Sequence, residues 1–281
     1  FIEAAPFLLL GTFVSGLVEE FFSQEQLQRM IPKNAVFGAM FGSIMGLFFP
    51  VCECGVVPLT RRLFKKGLPP SVGIAFLLAS PIINPIVIAS TISAYGWGKM
   101  LWMRIVFSLL IAMSVGLIFS LQKNPAKLVK MEAITISGHD HSAECSIEDH
   151  SEISISQQMK NVIQITADEF FEMGRYLIIG SILAALMQTF IPQSTLLSFG
   201  EGPFTSVLIM IALAVILSIC STVDAFVSLA FVGTFSGGSI LAFLVFGPMV
   251  DIKSTLLFLQ VFRKRAVAYL ILLPLSMTIL M

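Results

Sequence analysis

Three thiols and three carboxylates stand where an otherwise apolar chain interrupts its helices. Cys52, Glu53 and Cys54 lie between Pro50 and Gly55, and Cys220 opens Cys220-Ser221-Thr222, with Asp224 two residues on. Thiolates are soft donors that select soft cations and metalloids over hard ions. A carboxylate in a poorly hydrated cavity suits reversible protonation. On a regular helix Cys52 and Cys54 would point about 200° apart, so they converge only on irregular backbone. Pro50 ends the preceding helix and Gly55 tolerates unusual dihedrals, which supplies that irregularity. The plainer alternative is that Cys is a small, often buried apolar residue, and it bears most on Cys220.

Two further segments carry polar groups into apolar sequence. Ser80-Pro81-Ile82-Ile83-Asn84 and Gly247-Pro248-Met249-Val250-Asp251 both place Pro three residues before an amide or a carboxylate. Pro81 and Pro248 are expected at the first position of a restarted half-helix, with free N–H groups aimed at mid-membrane and favouring a thiolate, a carboxylate or an anionic solute. Asn84 and Asp251 would then line the site. A simple proline kink is the competing reading, and for Asp251 with Lys253 it is a structural ion pair.

These residues need elements to hold them, and composition says which. Of 281 residues 56% are hydrophobic and only 12% charged, with 17 basic against 17 acidic side chains. The mean hydropathy is +0.92, so an ordinary soluble domain is excluded. Neutral balance with no basic stripe argues against nucleic acid as a partner. The chain opens on Phe1 in place of Met, so a native start upstream is expected. Crossing a hydrocarbon layer of ~30 Å takes ~20 helical residues, and runs without strict alternation, such as 105–121 and 266–281, read as helices in a lipid bilayer.

The sequence repeats. Glu3–Gly11 aligns with Glu172–Gly180, Cys52 with Cys220, and Ser80–Asn84 with Gly247–Asp251, the register slipping one residue between anchors as duplicated halves with small deletions would. Each half has a first helix (4–22, 172–190), a broken pair (35–49 with 55–66, 205–219 with 222–235), a third element interrupted at Pro, and a last helix. Interrupted segments at matching places point to a transporter's binding site. If each half crosses an odd number of times, the basic residues of 29–33, 61–66, 123–130, 160–175 and 263–265 share one side, and the other keeps Lys99 and Arg104. That bias is the positive-inside pattern, so the repeats are expected to be inverted. The predicted fold is an all-α membrane protein, a polytopic helical bundle of two inverted repeats with broken or re-entrant helices. Its parts are a first repeat (1–121), a cytoplasmic His-containing linker (122–171) and a second repeat (172–281). In the linker, His139, His141, Cys145 and His150 are candidate metal ligands; the alternative is a hydrated connector, because the spacing matches no structural zinc motif.

The run Cys-Glu-Cys-Gly-Val-Val-Pro, with Arg61-Arg62, Gly67-Leu68-Pro69 and Ala79-Ser80-Pro81-Ile82-Ile83-Asn84-Pro85, resembles the YraQ/ArsP-type permease family. Some members of that family export trivalent organoarsenicals. The resemblance implies a multi-pass permease of the cytoplasmic membrane built from two repeats, with Cys52, Cys54, Ser80, Pro81 and Asn84 as its motif residues. Asp251 is inferred from the internal repeat.

The expectation is therefore a secondary transporter, not an enzyme. It exports a small soft, thiol-reactive or anionic solute, metalloids included, through a site formed by Cys52, Glu53, Cys54, Ser80, Pro81, Asn84, Cys220, Asp224 and Asp251. Glu53 or Asp224 would couple transport to protons. No ATP-binding motif is present and no cofactor is expected, so energy comes from an ion gradient or a separate subunit; a homo-oligomer is compatible with this plan. The rivals are an intramembrane thiol oxidoreductase using Cys52 and Cys54, and a non-transporting assembly or sensor subunit.

Overall fold

The computed structural model describes residues 4–21, 34–48, 53–121, 155–190 and 202–281. Among these, every extended regular element is a helix. The first half contributes α1 (Ala4–Phe21), α2 (Ala35–Phe48), α3 (Glu53–Lys65), α4 (Pro70–Ala79), α5 (Pro85–Tyr95) and α6 (Lys99–Ser120). The second contributes α7 (Ile155–Phe190), α8 (Pro203–Leu217), α9 (Asp224–Leu229), α10 (Gly237–Met249), α11 (Ile252–Val261) and α12 (Lys264–Leu280). Lys99–Ser120, Gln158–Phe190 and Gly237–Val261 are long and apolar enough to cross a membrane. Trp97 and Trp102 are exposed where α6 begins, a position at which amphipathic aromatics anchor a membrane helix at the interface.

Helix α2 has the residue distribution of a soluble helix turned inside out. It buries Gly38, Ala39, Gly42, Ser43 and Gly46, while Phe37, Met40, Ile44 and Phe48 face outward. Lipid is as apolar as a leucine side chain, so nothing drives large residues inward, and small ones are selected where backbones touch. Its main neighbour is α4, which in turn packs on α6; α1 packs on α3 and α7, and α8 on α10. Between the halves, α3 lies against α11 and α9 against α5. The larger core cluster gathers Leu59, Phe76, Leu77, Phe246, Phe258 and Phe262, and a second gathers Met210, Leu213, Phe231, Phe243 and Leu244.

Several boundaries depart from expectation. Helix α7 begins at Ile155, so residues 155–171, expected as connector, are helical. The stripe Val162, Thr166, Glu169, Met173 and Leu177 is buried, and Gly16 of α1 lies against Val162 and Thr166; this spacing of three and four residues is a helix face. In the second half the later member of the broken pair is only the short α9, followed by turns up to Ser236, the N-cap of α10. Pro81 and Pro248 do not mark the restarts either. Pro81 sits in the turn between α4 and α5, and Pro248 inside α10; the following helices begin at Pro85 and Ile252. The reason is that Asn84 and Asp251 offer side-chain caps, which fix a helix start more firmly than proline's missing donor does.

A Cβ on Gly42 would lie 2.3 Å from the carbonyl oxygen of Val72, closer than any relaxed contact. Gly42→Ala is expected to lower stability by about 1–3 kcal/mol through forced separation of α2 and α4, read as a drop in the detergent-solubilised melting temperature.

Candidate functional site

The site assembles where four helices stop or start inside the bundle. Glu53 is the first residue of α3 and is buried with Cys54 beside it. Across the interface between halves, Ser221 Oγ donates to Glu53 Oε2 at 3.3 Å. One contact therefore joins the residue before Cys54 to the residue after Cys220. Thr222 Oγ1 donates to Cys220 Sγ at 3.4 Å, and Cys220 itself is half-buried.

The breaks before α5 and α11 cap the helices that follow them. Asn84 adopts an extended conformation (φ −127°, ψ 139°) and its side-chain oxygen accepts the Ile86 N–H at 2.8 Å, with Pro85 next at the first helical position. Asp251 plays the same part for α11. Its Oδ1 accepts the Ser254 N–H at 2.6 Å while Ser254 Oγ accepts the Asp251 N–H at 2.8 Å, a reciprocal capping box. Helix α8 ends at Ser218 in the left-handed region (φ 47°), and Ser218 Oγ donates to Asp251 Oδ2. Gln188 of α7 donates to the freed carbonyl of Leu217 at 2.8 Å. Ser80, at the end of α4, is fully buried and its Oγ has no partner.

The structure thus brings Glu53 and Cys54 to the Cys220–Ser221 turn, and places Asn84 and Asp251 in equivalent cap positions. It sends Asp224 elsewhere. This carboxylate is buried against Arg104, whose Nη2 donates to Asp224 Oδ2 at 2.5 Å while Nη1 donates to Thr91 Oγ1 at 2.8 Å. Arg104, expected to be a charge outside the bundle, is almost wholly buried. Lys253 forms no ion pair with Asp251. Cys52 lies outside the described residues, as do His139, His141, Cys145 and His150. Among the described residues no group of three or more His, Cys, Asp or Glu is placed to hold a metal ion.

Sequence reasoning missed a buried charge network at the far end of α3. Arg61 pairs with Glu172 at 3.0 Å, and Gln260 of α11 also donates to Glu172 at 2.7 Å. Arg62 Nε donates to Glu169 at 2.7 Å. Lys66 Nζ donates to the carbonyls of Val18 at 2.8 Å and Glu19 at 2.5 Å, closing the C-terminus of α1. Arg61 and Arg62, counted in the sequence only toward the basic side of the membrane, are therefore interior. The available signal was complementary: acidic pairs at 19–20 and at 169 with 172 border the apolar stretches as the basic run does.

Two polar contacts therefore sit at the chain breaks among the described residues, Ser221 with Glu53 across the halves and Ser218 with Asp251 within the second. The whole chain, residues 1–281, matches the ArsP_1 family, described as "Predicted permease". The protein belongs to this permease family. A relative in Bacillus subtilis strain 168, "UPF0718 protein YcgR", is 43% identical over 272 residues, covering 96% of this chain and 88% of the relative. A Streptococcus mutans protein named "Putative two-component membrane permease complex subunit" is 38% identical over 266 residues, covering 94% of this chain and 85% of that one. No solved structure matches the chain. Membership makes this a membrane protein of permease type.

Because Asn caps as well as Asp, Asp251→Asn is expected to keep stability within about 0.5 kcal/mol, whereas Asp251→Ala loses about 1–2 kcal/mol. Thermal unfolding of the two purified variants separates a cap from a titrating role.

Proposed function

We propose that the protein is a multi-pass plasma-membrane permease whose two inverted repeats meet at their chain breaks and move a small soft, thiol-reactive or anionic solute outward. The observation that carries this reading is the Ser221–Glu53 contact, because it joins the break of one half to the break of the other. Packing supports the repeats: α3 of the first half lies on α11 of the second, and α9 of the second on α5 of the first. The matched positions also touch alike. A Cβ on Gly46 would lie 2.7 Å from Ser80 Cα, and one on Gly247 would lie 3.2 Å from Ala214 Cβ; in the aligned halves Gly46 corresponds to Ala214 and Ser80 to Gly247. Each close approach uses a glycine, on opposite members of the pair.

In this reading Cys52, Cys54 and Cys220 supply soft donors. Ser80, Pro81, Asn84 and Asp251 line the breaks, and Glu53 carries the coupling proton. Solute enters from the cytoplasmic side, where the positive residues gather. With no ATP motif in the sequence, energy comes from an ion gradient, and a second membrane subunit joins the assembly. The latter point is supported by the printed name of the S. mutans relative.

Uptake into inverted vesicles tests the proposal with trivalent arsenicals, soft metal ions, thiols and oxyanions as probes. Glu53→Gln and Cys54→Ser are each expected to slow the transported probe at least about tenfold, the equivalent of 1.4 kcal/mol. Wild-type rates in both variants, for a probe that does move, would remove the site from this gap.

A further inference from the structure

Two buried ion-pair clusters lie on opposite sides of the gap, and we propose that they are its gates, each closing the gap to one face of the membrane. The inference rests on the permease reading above and adds the groups that control access to its site.

Helix rise fixes where the clusters sit. Four helices leave the level of the gap and reach the Arg61–Arg62–Lys66 cluster over the same span. In α3, Arg61 is about 12 Å from Glu53; in α11, Gln260 is about 13 Å from Asp251. In α1, Gly11 abuts Gly55, and Glu19 is about 12 Å further on. In α7, Gly180 abuts Lys253, and Glu172 is about 12 Å back along the axis.

The Arg104–Asp224 pair lies the other way. Helix α4 starts beside the first cluster, after the tight turn at Gly67 (φ 88°), and ends at the gap with Ser80. Gly116 of α6 faces Ser71 of α4, and Arg104 of α6 faces Thr91 of α5, so α6 runs antiparallel to the α4–α5 track. Arg104 is about 18 Å from Gly116, whereas Ser80 is about 14 Å from Ser71, which puts Arg104 past the gap. Tyr95 and Ser228 share a hydrogen bond at 2.7 Å between α5 and α9 and complete this side.

Both clusters join the halves in the same sense. The cations Arg61, Arg62 and Arg104 come from the first half, and Glu172, Glu169 and Asp224 from the long helix and the second half. Parting the halves on either side has to break one set. Arg104 Nε, Asp224 Oδ1 and Glu169 Oε2 are buried without hydrogen-bond partners. A network built only for stability would satisfy such atoms; a latch that must release leaves them short.

Side-specific labelling tests this without any solute. The full chain, with Cys220 as its only cysteine, is placed in sealed vesicles of each orientation and exposed to a membrane-impermeant maleimide. Loss of a latch enlarges the population open to its own face, so Arg104→Gln is expected to speed labelling about tenfold from the face where α6 begins and to leave the other face unchanged. The double variant Glu169→Gln, Glu172→Gln is expected to do the reverse. If Arg104→Gln does not reach the membrane, Thr91→Val, which removes one of Arg104's two contacts, is read in its place, with a smaller rise from the same face. Unchanged rates, or equal rises from both faces, overturn the gates. One-sided labelling, where the chain with all its cysteines moves no probe, supports the gates and sinks the permease reading; probe transport by that chain with unchanged labelling sinks the gates alone.

Discussion

A chain that breaks its helices inside an apolar bundle has to return every freed N–H and C=O to a partner, and this requirement governs the architecture. Water is absent from the hydrocarbon layer, and an orphaned backbone group there costs several kcal/mol. Where the breaks are described, the protein meets the demand with polar side chains: Asn84 for α5, Asp251 with Ser254 for α11, Gln188 at the end of α8. The same groups make the interior polar where it would otherwise be oil.

Close approach of backbones follows from that. Caps reach their partners only if the helices around the breaks are near one another, and glycine permits it where Gly46 meets Ser80 and Gly11 meets Gly55. Helix α2 illustrates the trade. Its large residues face outward and its small ones inward, so it contributes contact surface and almost no hydrophobic drive. Between the halves an apolar cluster that includes Leu59, Phe76, Phe246 and Phe258 is joined by polar and ionic contacts, which add direction.

Much of this was legible in the sequence, and the failures have physical causes. The all-helical class and the matching positions of Asn84 and Asp251 came from apolar runs and the repeat, both local properties of the chain. The restart points were misplaced at Pro81 and Pro248 because proline reports only that a helix can begin; the cap three residues on decides where it does. The burial of Arg61 and Arg62 was not legible because it depends on partners such as Glu169 and Glu172, supplied from over a hundred positions away. Residues 155–171 read as connector on composition. Their buried stripe was present in the spacing, but polar Thr166 and Glu169 occupy two of its positions.

Helix α7 has 36 residues. At the α-helical rise it is about 54 Å long, against a hydrocarbon thickness of about 30 Å, so even a tilted rod stands well clear of the headgroups. Its early turns run beside α1, where Asn161 donates to Glu20 at 3.4 Å and Gly16 lies against Val162. A rigid rod of this length ties that end of the bundle to Glu169 and Glu172, so a displacement at Asn161 is carried to the ion pairs with little loss.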